Sequence, residues 1–276
     1  MSNRTSRADD RAIGAPATGA EASGQRREWE ALGKIDPLWA ILSDPSKRHR
    51  AWSLAEFMAT GEAEVSRLLE LAAQLGRPSR LGRALDFGCG VGRITRALAD
   101  RFEVAIGVDI AYTMLEQAQE LGGDRKNLSF VHNDRPDLQI FEDDGFDLVY
   151  SRLVLQHLPN TDQIERHIEE FGRVLRPTGL LVFQLPARIP VRHRIQLRRR
   201  AFVALRRLGF SERVLLDRFE LTPIRMVGIS PDRVRRLLDG AGVRILEAHT
   251  ERIPGTSIDS VTYYATKDVG RSDTMP

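Results

Sequence analysis

A chain of 276 residues, 42% of them apolar and 29% charged, can bury one substantial core with a small appendage. Its single cysteine, Cys89, excludes an internal disulfide framework and a multi-cysteine zinc site, which fits a reducing compartment. The net charge of +3 is modest but uneven, because Arg188 to Arg218 carries ten arginines against Glu212 and Asp217.

Residues 1–27 are rich in Ala, Gly, Ser, Thr and charge and contain no apolar secretion-signal core, so a disordered tail is expected there. No later run reaches the roughly 18 apolar residues of a membrane span, and a cytoplasmic protein is expected. Over 28–77 the apolar residues recur at helical spacing in three groups, opened by Trp29, Trp52 and Val65. This predicts a helical N-terminal cap.

Beyond Pro78 strands and helices alternate. Strands are predicted at Arg83 to Phe87, Val104 to Asp109, Leu128 to His132 and Phe146 to Ser151, with helices at Arg93 to Arg101 and Tyr112 to Leu121. A helix from Asp162 to Leu175 should stop at Pro177 and Gly179 and lead into a buried strand at Leu180 to Gln184. Such alternation argues for an α/β fold with a mostly parallel sheet covered on both faces. The long basic stretch 187–228 interrupts it. Ser230-Pro231 then opens a helix that ends at Gly240, and two closing strands, Val243 to His249 and Asp259 to Lys267, are joined too closely for a crossover and should pair antiparallel.

The turn after the first of these strands reads Asp86-Phe87-Gly88-Cys89-Gly90-Val91-Gly92. Glycines at alternate positions let backbone approach a ligand without interference from Cβ. A dinucleotide loop, GxGxxG, would need its third glycine where this chain has Arg93. The D-x-G-x-G-x-G pattern instead resembles the first motif of class I S-adenosylmethionine (SAM) dependent methyltransferases, and the resemblance runs along nearly all of Arg83 to Lys267. It implies a doubly wound, seven-stranded, Rossmann-like sheet with its last strand antiparallel. The SAM-binding domain would span 78–270, with 187–228 as an inserted basic lid. In that family the glycine loop lies under the methionyl part of the cofactor, so Asp86, Gly88, Gly90 and Gly92 are implied there. Asp109, ending the second strand, would hold the ribose hydroxyls. Asp134 in "FVHNDRPDL" would accept from the adenine amino group, and Ser151 opens the segment "SRLVLQHLP" that lines the space between cofactor and acceptor.

The reactive group is harder to choose. His157 is the candidate general base by position and by an imidazole pKa near neutrality, with a hydrogen-bonded packing role as the competing reading; His49 is a weaker candidate. An acceptor hydroxyl would need a base and an acceptor carboxylate none. No acidic or histidine cluster has metal-ligand spacing, so no metal is expected. In the basic stretch Val191, Ile195, Phe202 and Leu205 recur near helical spacing among arginines, which predicts an amphipathic lid helix. Its partner is left open between an anionic small acceptor, an anionic membrane surface presenting a lipid-linked glycan, and RNA, the last disfavoured for want of stacking aromatics. The reaction expected is methylation, at oxygen, of a small molecule, sugar or lipid-linked glycan. An NAD(P)-dependent oxidoreductase or epimerase, and a SAM-binding scaffold without activity, are the alternatives.

Overall fold

Three helices open the described part of the chain because three amphipathic stretches each need a surface on which to bury one stripe. In the computed structural model, which describes residues 19–190, 195–253 and 256–268, these are α1 (Gly19–Ile35), α2 (Pro37–Ile41) and α3 (Leu54–Leu75). Residues 1–18 of the expected tail lie outside the described residues. Gly19 to Arg27, assigned to that tail by composition, instead forms the first half of α1. The difference is tertiary in origin: Gln25 is buried and its amide donates to the His157 carbonyl at 3.2 Å, a partner 132 residues away. At α3 the local signals suffice. Ser53 and Glu56 form a reciprocal capping box, Phe57, Gly61, Val65, Leu68 and Ala72 make the buried stripe, and Gly76 closes the helix at φ 64°.

The sheet follows: β1 (Arg83–Phe87), α4 (Arg93–Ala99), β2 (Val104–Asp109), α5 (Tyr112–Gly122), β3 (Leu128–His132), β4 (Phe146–Ser151), α6 (Thr161–Val174) and β5 (Leu175–Arg188). Then come α7 (Leu197–Arg207), α8 (Glu212–Asp217), α9 (Pro231–Gly240), β6 (Val243–Arg252) and β7 (Asp259–Lys267). The strand order is β3-β2-β1-β4-β5-β7-β6; β1 to β5 are parallel, and β7 runs antiparallel to both its neighbours. The seven-stranded fold expected from the sequence is therefore present. Strand β5 is longer than Leu180 to Gln184 because β7 pairs with it from Pro177 to Arg188, across two irregularities in register. Pro177 and Gly179 mark such an irregularity and not a loop.

Period-two alternation sends neighbouring residues of each strand into different layers. Leu85, Phe87, Val149, Leu181 and Phe183 meet Ile164, Ile168 and Phe171 of α6. Ala84, Leu148, Tyr150, Leu180 and Val182 face Val65, Leu68 and Ala72 of α3 and Ile94 and Leu98 of α4. A third cluster joins the cap to the basic insertion, with Leu32, Ala40, Phe57 and Met114 packed with Phe202, Leu215 and Leu216. The insertion thus forms two helices whose inward residues differ from the predicted stripe. Gln196, at φ 50°, starts α7 after Ile195, which leaves Ile195 outside the helical register and exposed, while Phe202 is buried and Leu205 half-buried. Val191 lies outside the described residues.

Phe171 has no exposed surface and stands against Phe87, with ring centroids 5.2 Å apart. Phe171→Ala should lower unfolding free energy by about 3–5 kcal/mol in a denaturant titration. A loss below about 1 kcal/mol would show that α6 does not cover this face.

Candidate active site

Strand order reverses between β1 and β4, and in open parallel sheets ligands settle outside the carboxyl ends of the strands at such a reversal. A cleft open to solvent lies there. The sheet contributes Phe87, Gly88, Gly90 and Asp109; α1 contributes Gln25 and Trp29 from above; the loops after β3 and β4 contribute Asn133, Asp134, Arg152 and His157.

The glycine loop is held by the end of β2. Gly88 and Cys89 both donate to the Val108 carbonyl, at 2.7 and 3.0 Å, and Gly90 donates to Asp109 Oδ2 at 2.8 Å. These amides are thus engaged internally, and the loop offers a ligand its bare Cα face. Gly88 and Gly90 have φ of 77° and 54°, and a Cβ at either would fall 2.3 Å from Val154 or 2.5 Å from Ile41. Gly92 does not line the cleft; its missing side chain makes room for the Phe130 ring.

Asp109 uses its other oxygen, Oδ1, to accept from the Ala111 amide at 2.9 Å. Burial raises its pKa, against the pull of these backbone donors. Asp86 is brought to the same loop but not to the cleft. It is 4% exposed, accepts from Thr95 Oγ1 at 2.6 Å, and burial pushes its carboxyl up to about 7. Ser151 is likewise absent from the lining; its hydroxyl is buried with no hydrogen-bond partner among the described residues. Cys89 is buried, and burial pushes its thiol well above its ordinary value.

Helix α1 is tied across the cleft by charge. Arg26 meets Asp134 at 2.8 Å, Glu28 meets Arg199 of α7 at 3.2 Å, and Glu30 accepts from the Tyr112 and Thr113 amides. The last contact is required locally, because the residue before α5 is Ala111, which cannot cap a helix. Asp134 therefore stands at the exposed rim, with Oδ2 on Arg26. Its neighbour Asn133 is the buried one.

His157 donates from Nδ1 to the Arg225 carbonyl at 2.6 Å, since a carbonyl only accepts. Its Nε2 is then the lone-pair nitrogen and accepts from the Gln156 amide at 3.1 Å. Burial holds its pKa down at about 4. Three groups lining the cleft were not singled out in the sequence. His167 packs on Phe87 and donates from Nδ1 to the Gln163 carbonyl at 2.7 Å. Trp29 lies 5.5 Å from the His157 ring. Arg152 meets Glu64 of α3 at 3.2 Å, and Arg93 meets the same carboxylate at 3.0 Å. Burial opposes the Glu64 charge, but Arg93 and Arg152 outweigh it and lower its pKa. Two guanidiniums thus share one buried carboxylate, and Glu251 reaches Arg152 only at 4.0 Å. Arg152 sits within the quoted post-β4 segment, but nothing in its spacing announces a partner on α3. Among the described residues no group of three or more His, Cys, Asp or Glu could hold a metal ion.

Residues 85–183 match the family described as Methyltransferase domain. This is a class I S-adenosylmethionine-dependent methyltransferase domain. The chain is similar to the trans-aconitate 2-methyltransferase of Variovorax paradoxus, 32% identical over 138 residues, covering 49% of this chain and 50% of that protein. It is also 33% identical over 120 residues to the malonyl-[acyl-carrier protein] O-methyltransferase of Legionella pneumophila, covering 43% and 40% of the two chains. The chain spans about half the length of the first of these relatives and less of the second. In fold it resembles the magnesium protoporphyrin IX methyltransferase of Synechocystis, with a TM-score of 0.59 at 17% identity, over 90% of this chain and all of that one.

The residues of this methyltransferase domain fit the cofactor. Gly88 and Gly90 line the cleft without side chains, and Asp109, already oriented by two backbone donors, keeps lone pairs for hydroxyl donors. Asp109→Ala should weaken SAM binding by about 1.5–3 kcal/mol in calorimetry; unchanged affinity would mean the sugar is held elsewhere. Asp86 supplies a pH test. Because its folded pKa, about 7, lies above the ordinary 3.8, the folded state holds the extra proton between these values, and its contribution to stability falls as pH rises from about 4 to about 7. Asp86→Asn should remove that part of the fall in a series of denaturation curves.

Proposed function

We propose that the chain transfers a methyl group from SAM to an oxygen of a small acceptor that is already anionic, a carboxylate being the simplest case. The observation that carries this reading is the pairing of Arg152 with a histidine that is poorly suited as a base. Arg152 lines the cleft, shares Glu64 with Arg93 and has exposed Glu251 only at 4.0 Å, so its guanidinium is only partly neutralised. A guanidinium in that situation favours an oxyanion, which it can hold by two parallel hydrogen bonds. His157, held near 4 by burial, is neutral at physiological pH but is a weak base for a sugar or lipid alcohol. A carboxylate needs no base. We assign His157 to shaping the cleft wall, its ring held between the Arg225 carbonyl and the Gln156 amide, and the base role expected from the sequence is the alternative that the assay below tests.

When bound, SAM supplies a methyl group on a positively charged sulfonium. Gly88 and Gly90 would lie under the amino-acid part, Asp109 would hold the ribose, and Asp134 Oδ1 remains for the adenine amino group while Oδ2 stays on Arg26. Gln25 and Trp29 of α1 exclude water from above, which supports an in-line displacement by keeping the acceptor close and unsolvated. The similarity to trans-aconitate and malonyl-[acyl-carrier protein] methyltransferases supports a small acidic acceptor, and the resemblance is to about half or less of those proteins. Sugar and lipid-linked glycan acceptors remain as the second class, distinguished by their need for a base.

Labelled SAM incubated with panels of small carboxylic acids and of sugars or polyols should give turnover with the acids. Arg152→Gln should raise KM for an acid about 10- to 100-fold, the loss of a charge-assisted pair, and leave S-adenosylhomocysteine affinity unchanged. His157→Gln should lower kcat less than about tenfold without changing the pH profile near neutrality; loss of two or more orders of magnitude would assign it as the base instead.

A further inference from the structure

The outer surface of the basic insertion does not take part in the cleft. Of the ten exposed large apolar side chains among the described residues, six belong to it: Ile195, Leu197, Leu208, Phe210, Val214 and Phe219. Leu197 is 69% and Leu208 75% exposed. On α7, Leu197, Arg200, Ala204 and Arg207 follow at three- and four-residue steps, Leu208 caps the helix four residues after Ala204, and all five are exposed, so they form one face. The opposite face carries Phe202, buried in the cluster with Leu32 and Met114, and Arg199, paired with Glu28 of α1. The turn after α7 projects Phe210, which packs edge-to-face on Phe219 at 6.3 Å, and both rings are exposed.

The arginines of the insertion are of two kinds. Arg199, Arg206 and Arg213 have carboxylate partners at 3.2, 2.9 and 3.5 Å. Arg200, Arg207 and Arg218 have no ion pair among the described residues and are exposed alongside the leucines and phenylalanines. A face used only for solubility would not expose Leu and Phe in a contiguous set. A two-fold contact between copies would bring these arginines against one another. A single-stranded nucleic acid calls for a series of stacking rings in a groove, whereas here branched aliphatic side chains alternate with guanidiniums.

We propose that this face docks on an anionic lipid surface, with Leu197, Leu208, Phe210 and Phe219 entering the interface and Arg200, Arg207 and Arg218 meeting the headgroups. The inference goes beyond the acceptor assignment and holds whichever small molecule is methylated. Its consequence for the site follows from connectivity. Arg199 and Phe202 join the inner face of α7 to α1, and α1 closes the cleft through Gln25 and Trp29. Docking therefore brings the cleft's roof next to the bilayer.

The test is sedimentation of the full chain with vesicles of phosphatidylcholine alone and with phosphatidylglycerol added. Binding should appear only with the anionic lipid and weaken with added salt. The triple variants Arg200→Gln/Arg207→Gln/Arg218→Gln and Leu208→Ser/Phe210→Ser/Phe219→Ser should each reduce it about tenfold or more while leaving S-adenosylhomocysteine affinity unchanged. If a triple variant also loses that affinity, the single changes Arg207→Gln and Leu208→Ser, at open positions, provide the same comparison. No binding to anionic vesicles overturns the proposal. So does binding that the serine variant leaves intact and that heparin or single-stranded RNA matches, which would make the face a general polyanion site. A dimer in solution dispersed by the serine variant would overturn it in favour of self-association.

Discussion

The joint between the glycine loop and the end of β2 sets the geometry of everything around it. One backbone carbonyl, Val108, receives two amides of the loop, and the next side chain, Asp109, receives a third. The loop cannot move relative to β2 without exposing these groups in a region from which water is largely excluded, where an unpaired polar group is costly. Because β1 and β2 are themselves paired from Arg83↔Val104 to Phe87↔Val108, the joint extends a sheet register into a loop. That is how a segment with no regular structure acquires the rigidity a binding site needs.

The roof of the site is built on a different principle. Helix α1 makes a modest apolar contact and several polar ones, each with a partner far along the chain: Glu30 with the start of α5, Arg26 with Asp134, Glu28 with Arg199. The contact at α5 completes a helix that lacks its own cap, so two elements become stable together that would each be weaker alone. Exposed ion pairs such as Arg26–Asp134 contribute little by themselves and are screened by salt. Roof and floor thus differ in stiffness: the floor is fixed by buried backbone bonds, and the roof is held by contacts that exchange readily with water.

This difference also explains what could be read from the sequence. Strands β1 to β4 were legible at their exact limits because each is a short apolar run bounded by a turn, and its burial is a matter of local pattern. The length of β5 was not, since β5 is extended by pairing with β7, about 80 residues later. The first turns of α1 carry no apolar stripe, and their order comes from Gln25 reaching His157. In the site, glycines and Asp109 announce themselves by motif. Asp134 is recognisable by the same means, yet its carboxylate is shared with Arg26, which no motif includes. The Glu64–Arg93–Arg152 cluster draws on α3, α4 and the loop after β4, and a charge cluster assembled from three distant segments has no signature in one sequence.

The charges near the loop finally form one system. Asp86 and Asp109 both have raised pKa values, chiefly from burial, and each adds to the rise of Asp86 or Cys89 through its own negative charge. Glu64, buried nearby, escapes this because Arg93 and Arg152 stand on it. The domain therefore keeps two buried carboxyl groups at the glycine loop and two guanidiniums toward the end of β4, where Arg152 lines the cleft. A ligand that is cationic at one end strengthens the ionised form of Asp109, and the anionic acceptor proposed above would meet Arg152. On the proposed acidic acceptor, occupying both positions together would lower the electrostatic cost of each and favour its pairing with a cationic methyl donor over either one bound singly.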